Sequence, residues 1–438
     1  MSDPRRPDPG TRNPIPMARR PASWRDWAPA TRRLLAARFW RSLAQGALVV
    51  DLALYLHALD WSGLAIGAVL SGGGLTGAML SLAVGAASDR SRRKPFLLAY
   101  EVLTCGCALV AMTTVRPELL GIVIVLAGFG RGANGAAGPF SPAEQAWLAE
   151  SVEPEDRGMV YSVNVALGFA GMALGALAAI LPGLWRSWLG PADAYRPLFA
   201  LVLVGNALNL ALLVRTPERR SGRGGAPGAA RSVPGAAAVQ QRENRFLRDL
   251  VTVNSLNGLA VGLTGPLMAY WFHQRFGVGP EFIAPAMALT FAVTAAAAIL
   301  SGRLTHRAGL VRVVVWGRGG GLVLLVLLPL MPAYWLAALA YLLRSALNRG
   351  TIGARQALVV SAVRDGRRGL AASLNAVSMQ VPQAVGPALA GGLIDAGWLV
   401  TPFLLAAALQ GIYVVLYGRL FGPRERQLIP VPARSDAG

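Results

Sequence analysis

Lysine is almost missing from this chain: Lys94 is the single one among 42 basic residues, and Pro95 follows it. A Walker A loop ends in Gly-Lys followed by Ser or Thr, so the chain holds none, which argues against ATP hydrolysis within this polypeptide. Cysteine is scarce as well. Cys105 and Cys107 both lie inside an apolar run, where they read as small packing residues, and no disulfide framework is implied. His57, His273 and His306, the only histidines, are too widely spaced for a recognisable metal site, so no metal or other cofactor is expected. No clustered nucleophile and base stands at either membrane face, so an enzyme is not expected either. Charge is also short, at 15% of 438 residues, where a soluble protein carries about 25%.

What the chain has instead is apolar sequence in long runs. Hydrophobic residues make up 54% and mean hydropathy is +0.46. The runs are about 18–25 residues long, enough to cross a hydrocarbon core of roughly 30 Å as helices. The alternating segments of a β-barrel are not seen. An all-α polytopic membrane protein follows. Twelve spans are expected, near 39–58, 64–87, 95–115, 119–141, 159–182, 196–215, 249–273, 282–302, 312–331, 333–350, 370–395 and 401–420. The fourth and tenth are expected to continue as helix towards Glu150 and Ser361.

Residues 1–23 are rich in Pro, Arg and Asp and read as a disordered tail. Residues 24–38 mix Trp and Leu with Arg, as a helix lying on an anionic membrane surface does. The first apolar run begins near Phe39, too far from Met1 for a cleavable signal peptide. Residues 216–248 are dominated by Gly, Pro, Ala and Arg and read as a linker between two six-helix halves, 39–215 and 249–421; residues 422–438 form a C-terminal tail.

The net charge of +20 invites a nucleic-acid reading, but a binder of that kind gathers its arginines on a folded polar domain. Here they fall between apolar runs. If the N-terminus is cytoplasmic, the inner segments hold 33 of the 42 basic residues, and the outer loops hold Arg116, Arg186, Arg196 and Arg275. Both termini and the linker are then inside a bacterial inner membrane, and no nucleic-acid partner is expected.

The halves echo each other. EQAWLAESVEPEDRGMVYSVN (144–164) aligns without gaps on RQALVVSAVRDGRRGLAASLN (355–375), and GAASDR (85–90) echoes GRLTHR (302–307). Six helices repeated in one orientation mean two bundles related by an axis along the membrane normal.

With those features the chain resembles the major facilitator superfamily over everything but its tails and linker. The family's loop signature G-x-x-x-D-[RK]-x-G-[RK]-[RK] stands here as Gly85, Asp89, Arg90, Arg92 in place of the second glycine, Arg93 and Lys94. Its R-x-x-x-G signature in the fourth helix matches Arg131 to Gly135. The resemblance implies that helices two and eleven meet, with Asp89 by the N-terminal end of helix eleven. Gly85, Asp89, Arg90, Arg93 and Lys94 would then form a cytoplasmic gate, joined by Glu144 or Glu150. The bland reading of the four basic residues, as topology signals only, leaves Asp89 unexplained.

Charges inside the membrane cost roughly 2.5–3.5 kcal/mol each, so each needs a partner or a wet cavity. Asp51 in helix one, Arg131 in helix four and Arg344 in helix ten are expected near mid-membrane, with Arg349 closer to the cytoplasm. The resemblance places helices one, four, seven and ten around a central cavity, which these four would face. Asp51 reads either as a proton relay with Arg131 as counter-ion or as a permanent ion pair with it. Glu101 and its repeat counterpart Arg318 read as bracing residues. Tyr55, Asn134, Asn257 and Gln383 are candidate wall residues, or interhelical hydrogen bonds. A positive cavity favours an anionic or carboxylate-bearing substrate.

The resemblance implies a secondary active transporter that works by alternating access, as a monomer in the lipid bilayer, with a small molecule and protons as its partners. Gly168, Gly171 and Gly175 in helix five are similar to the glycine-rich fifth helix of the drug/proton antiporter branch, although the Gly-Pro step of that helix is found in helix eleven, at Gly386-Pro387. Proton-coupled efflux of small organic molecules is expected, with gradient-driven uptake of a metabolite anion as the alternative and a non-transporting membrane sensor as a remote one.

Overall fold

Inside a hydrocarbon layer every backbone N–H and C=O must find a partner within the protein, and a helix achieves this within one segment. The computed structural model describes residues 27–88, 93–130, 144–145, 147–148, 151–152, 157–218, 236–364 and 367–428. Among them all regular secondary structure is helical. The N-terminal half holds α1 (Pro29–Ala58), α2 (Gly63–Ser88), α3 (Lys94–Thr113), α4 (Pro117–Ala127), α5 (Arg157–Ala178), α6 (Leu181–Leu189) and α7 (Pro197–Val214). The C-terminal half holds α8 (Ala236–Thr264), α9 (Met268–Phe276), α10 (Pro280–Ala308), α11 (Leu310–Leu327), α12 (Tyr334–Gly350), α13 (Ile352–Ser361), α14 (Arg368–Asp395) and α15 (Thr401–Leu428).

These helices follow the apolar runs, and seven stretches among the described residues are long and apolar enough to cross a bilayer. The pairings repeat under a shift of six spans. In the first half α1 packs on α5 and α7, and α3 on α7; in the second, α8 packs on α14 and α15, and α11 on α15. Between the halves, α2 packs on α14 and α5 on α10. That is the arrangement the internal repeat requires.

Three boundaries differ from the sequence expectation. Residues 29–38 do not lie along a surface: they are the first turns of α1, where Leu34, Leu35 and Ala37 bury against Trp147, Leu148 and Leu213. Pro29 starts the helix at the position where a missing N–H costs nothing. The last part of the expected linker, from Ala236, is helix continuous with the seventh span. That span is itself interrupted between Thr264 and Met268, where Pro266 cannot donate to the helical ladder.

The apolar core is divided unevenly. At the end of the bundle where α1 ends and α2 begins, here called distal, one continuous cluster joins residues of both halves, including Leu54, Leu56, Tyr270 and Ile394. Towards the opposite, proximal end each half keeps a cluster of its own, around Leu35 and Trp147 in one and Phe246 and Phe421 in the other. The halves are therefore welded distally and separate proximally. Gly67 on α2 permits the weld, because a Cβ there would overlap the Pro387 carbonyl of α14.

Candidate functional site

Between the halves, on the proximal side of the joint core, lies a cavity of about 300 Å³ lined by α1 to α5, by α7 and α8 and by α11 to α14. The first half lines it with a compensated charge cluster. Arg41, 6% exposed, is ion-paired with Glu144, and its Nη1 lies 3.6 Å from Glu101 Oε1. Asn209 on α7 is buried nearby, within electrostatic reach of Glu101. Arg38, one turn earlier on α1, sits within electrostatic reach of Glu144, in space that Gly168 leaves open on α5.

The charged residues with which the second half lines it are all arginines. Arg318 donates to Asn257 Oδ1 at 2.8 Å, Arg355 to Asn254 Oδ1 at 2.9 Å, and Arg344 to Thr264 Oγ1 at 3.1 Å. Arg349 donates to the Tyr341 hydroxyl at 3.4 Å. Three of these four acceptors come from α8, and all are neutral. Aromatic faces complete the setting: Arg318 and Arg355 lie 5.5 and 5.9 Å from the Tyr413 ring centre, and Arg349 lies 5.5 Å from that of Phe291. Among the described residues no carboxylate comes within ion-pair distance of any of the four.

Of the residues expected at the cavity, Arg344, Arg349 and Gln383 line it, and Asn257 supports it by holding Arg318. Arg131 and Asn134 lie outside the described residues. Asp51 is 0% exposed but does not line the cavity, and neither does Tyr55. The depth reading was one-dimensional, whereas facing is angular. At about 100° per residue, Asp51 sits roughly 130° around α1 from the mean direction of Arg38, Arg41, Ser42 and Gln45. It is in electrostatic reach of Tyr195 and Glu281 instead. Gly130 backs onto α1 at Leu48 and Leu52. Tyr55 packs its ring on Tyr195 and Phe199.

The expected gate is only partly in view. Gly85 lies within α2, and Asp89, Arg90 and Arg92 are outside the described residues. Lys94 bridges to the Val214 and Thr216 carbonyls at 2.7 and 2.8 Å, tying α3 to the end of α7 within one half. The Arg93 backbone N–H donates to Glu218. Glu144 is ion-paired with Arg41 on α1.

The residue that sequence reasoning missed is Asp395, the last of α14. Its two carboxylate oxygens accept hydrogen bonds from the Gly63 and Leu64 backbone N–H groups, both at 2.7 Å. It thus caps the first turn of α2 from the other half and closes the distal end. Beside it, Ala388 N–H donates to Ser71 Oγ at 3.0 Å, and Gln274 Nε2 lies 3.3 Å from His57 Nε2. The available signal was an acid at the end of helix eleven facing the start of helix two, the inverse of the relation expected for Asp89.

Comparison with known proteins accords with this geometry. The Multidrug resistance protein MdtH of Yersinia pestis (strain Pestoides F) is 29% identical over 179 residues, a match spanning 36% of this chain and 39% of that relative. The chain therefore aligns with well under half the length of that curated relative. A bacterial homologue of the human lysosomal transporter Spinster, solved in an inward-facing and occupied conformation, superposes with TM-score 0.68 at 15% identity, covering 92% of this chain and 98% of that one. A D-xylose-proton symporter superposes with TM-score 0.69 at 16% identity, covering 92% and 99%. At such identities these two establish the fold alone. The profile of the Major Facilitator Superfamily matches residues 34–252 and 250–437, both halves in turn. With two six-span halves around a polar central cavity, the chain belongs to the Major Facilitator Superfamily.

Proposed function

We propose that the protein is a proton-coupled exporter of small organic anions that works by alternating access. The observation that carries this reading is the cavity wall of Arg318, Arg344, Arg349 and Arg355, answered only by neutral partners. Buried cations without countercharge hold a standing attraction for an anion and repel a lipophilic cation. By the positive-inside rule the proximal end is cytoplasmic, so the welded distal end faces outward and the state described is open to the inside. Export is supported by the partial similarity to a multidrug resistance protein.

Asp51 is the proposed proton carrier. Both of its oxygens lack a hydrogen-bond partner among the described residues, although it is fully buried. A carboxylate in that position is costly unless it is protonated or meets a cation. Because it stands outside the cavity lining, its proton couples to transport through the setting of α1 and not by competing with substrate.

The test is transport in proteoliposomes with an imposed pH gradient, using benzoate and tetraphenylphosphonium as probes and wild type beside Asp51→Asn. The reading expects gradient-dependent benzoate movement that Asp51→Asn loses. Full pH-driven transport by Asp51→Asn ends the role of Asp51, and movement of tetraphenylphosphonium without benzoate ends the anion reading.

A further inference from the structure

The cavity arginines are not scattered. Arg318 and Arg355 flank one ring, Tyr413, and are anchored by Asn257 and Asn254, three residues apart on α8. Arg344 and Arg349 gather around Tyr341: Arg349 bonds its hydroxyl, and Arg344 feels it electrostatically. The two pairs sit on different helices, α11 with α13 and α12 alone. Each pair keeps N–H groups unspent. Arg318 Nε in one, and Arg344 Nε and Arg349 Nη1 in the other, are buried and have no hydrogen-bond partner, while Arg318 and Arg344 are only 3% and 6% exposed.

An unspent N–H on a buried guanidinium forfeits a hydrogen bond that water would supply, and such groups are rare unless something fills the place. Neutral acceptors fix the orientation of these arginines but leave their charge unanswered. The contrast with the first half is one of charge: Arg41 Nε is unspent there too, but Glu101 and Glu144 meet its guanidinium. Arg344 is also in electrostatic reach of Arg318, but the pairs gather on different rings, Tyr413 and Tyr341, so one anionic group is placed to bond one pair and a second group the other.

Building on the anion reading, we infer that the substrate carries two separate anionic groups, one for each arginine pair, and that it is held chiefly by the C-terminal half. The planar guanidinium matches carboxylate, phosphate and sulfonate alike, so the shared requirement is two anionic heads on one small body. The single-headed benzoate is then still carried, but dicarboxylates are bound more tightly.

The experiment is equilibrium binding to the full-length purified protein at pH 7, with benzoate, phenyl phosphate, isophthalate, adipate and tetraphenylphosphonium. Phenyl phosphate has two charges on one head; isophthalate and adipate separate theirs by different spans. The inference expects the better dicarboxylate to bind at least tenfold more tightly than both single-headed anions. It also expects Arg318→Gln and Arg344→Gln each to lower that affinity at least tenfold, to near the benzoate level, while benzoate changes less. A single-headed anion that binds as tightly as either dicarboxylate overturns the inference and leaves the anion reading standing. Binding of tetraphenylphosphonium with none of the anions overturns both. If either arginine variant fails to fold, the ranking of the four anions on wild type decides alone.

Discussion

The two halves share one architecture and oppose each other in electrostatics. Glu101 on the third span corresponds to Arg318 on the ninth, and Glu144 after the fourth to Arg355 after the tenth. In the first half a cation on α1 answers the two acids; in the second, asparagines on α8 answer the two arginines. Helix pairing is thus kept by the repeat while the polar positions are exchanged. The first half reads as a self-neutral support and the second as the charged wall that a ligand completes.

The sharpest way to break this comparison is to remove the cation from the neutral half. Arg41→Gln leaves Glu101 and Glu144 buried without it, and is expected to cost about 3–5 kcal/mol of stability. Combining it with Glu101→Gln and Glu144→Gln should recover part of that loss in a thermal melt, because the two acids are then uncharged and only Arg38 keeps its charge.

The seam between the halves gives the next effects. Gly67→Leu drives a side chain into the Pro387 carbonyl, so distal closure is expected to lose about 2–3 kcal/mol, and transport should stop while the protein still folds. Asp395→Asn keeps the shape of the cap but removes its charge from the α2 N-terminus, an expected loss of about 1 kcal/mol. With Cys105 and Cys107 replaced by serine, a thiol at Ser71→Cys reports it. Labelling from the distal side by an impermeant maleimide should rise about fivefold in Asp395→Asn, the population change that 1 kcal/mol produces.

A further, pH-dependent effect lies at the proximal end of the second half. Desolvation pushes the Glu243 carboxyl up, but hydrogen bonds from the Arg364 side chain and backbone and from Arg367 outweigh it and hold the group at about 2. A carboxyl depressed on folding contributes stability that is present above its unfolded value of about 4.3 and lost as pH falls through 2. Glu243→Gln should therefore be less stable than wild type by about 1–2 kcal/mol at pH 7. The two should converge in acid melts between pH about 4 and 2.

Much of the fold was legible in the sequence. Span length, the clustering of arginine and the match of 144–164 to 355–375 follow from one-dimensional pattern, and the two-bundle architecture follows from them. The break at Pro266 was legible in principle, but it was hidden in a hydropathic run that continues past it. The site was read less well. Arg344 and Arg349 were placed by depth and by the helices that the resemblance puts around a cavity, and Gln383 as a candidate wall residue, yet the same reasoning put Asp51 at the cavity, because depth does not say which side of α1 a residue faces. Arg318 was read as a brace, since its meaning depends on which partner α8 brings to it. Asp395 escaped because a cap between halves joins residues 63 and 395, and no local pattern marks such a contact.

The central claim is that the arginines of the second half are uncompensated, unlike Arg41. Thermal melts of wild type, Arg41→Gln and Arg344→Gln in one detergent at pH 7, without added anions, test it most directly. The account predicts a large fall for Arg41→Gln and, for Arg344→Gln, a melting temperature equal to or above wild type. An equal fall in both variants would contradict it.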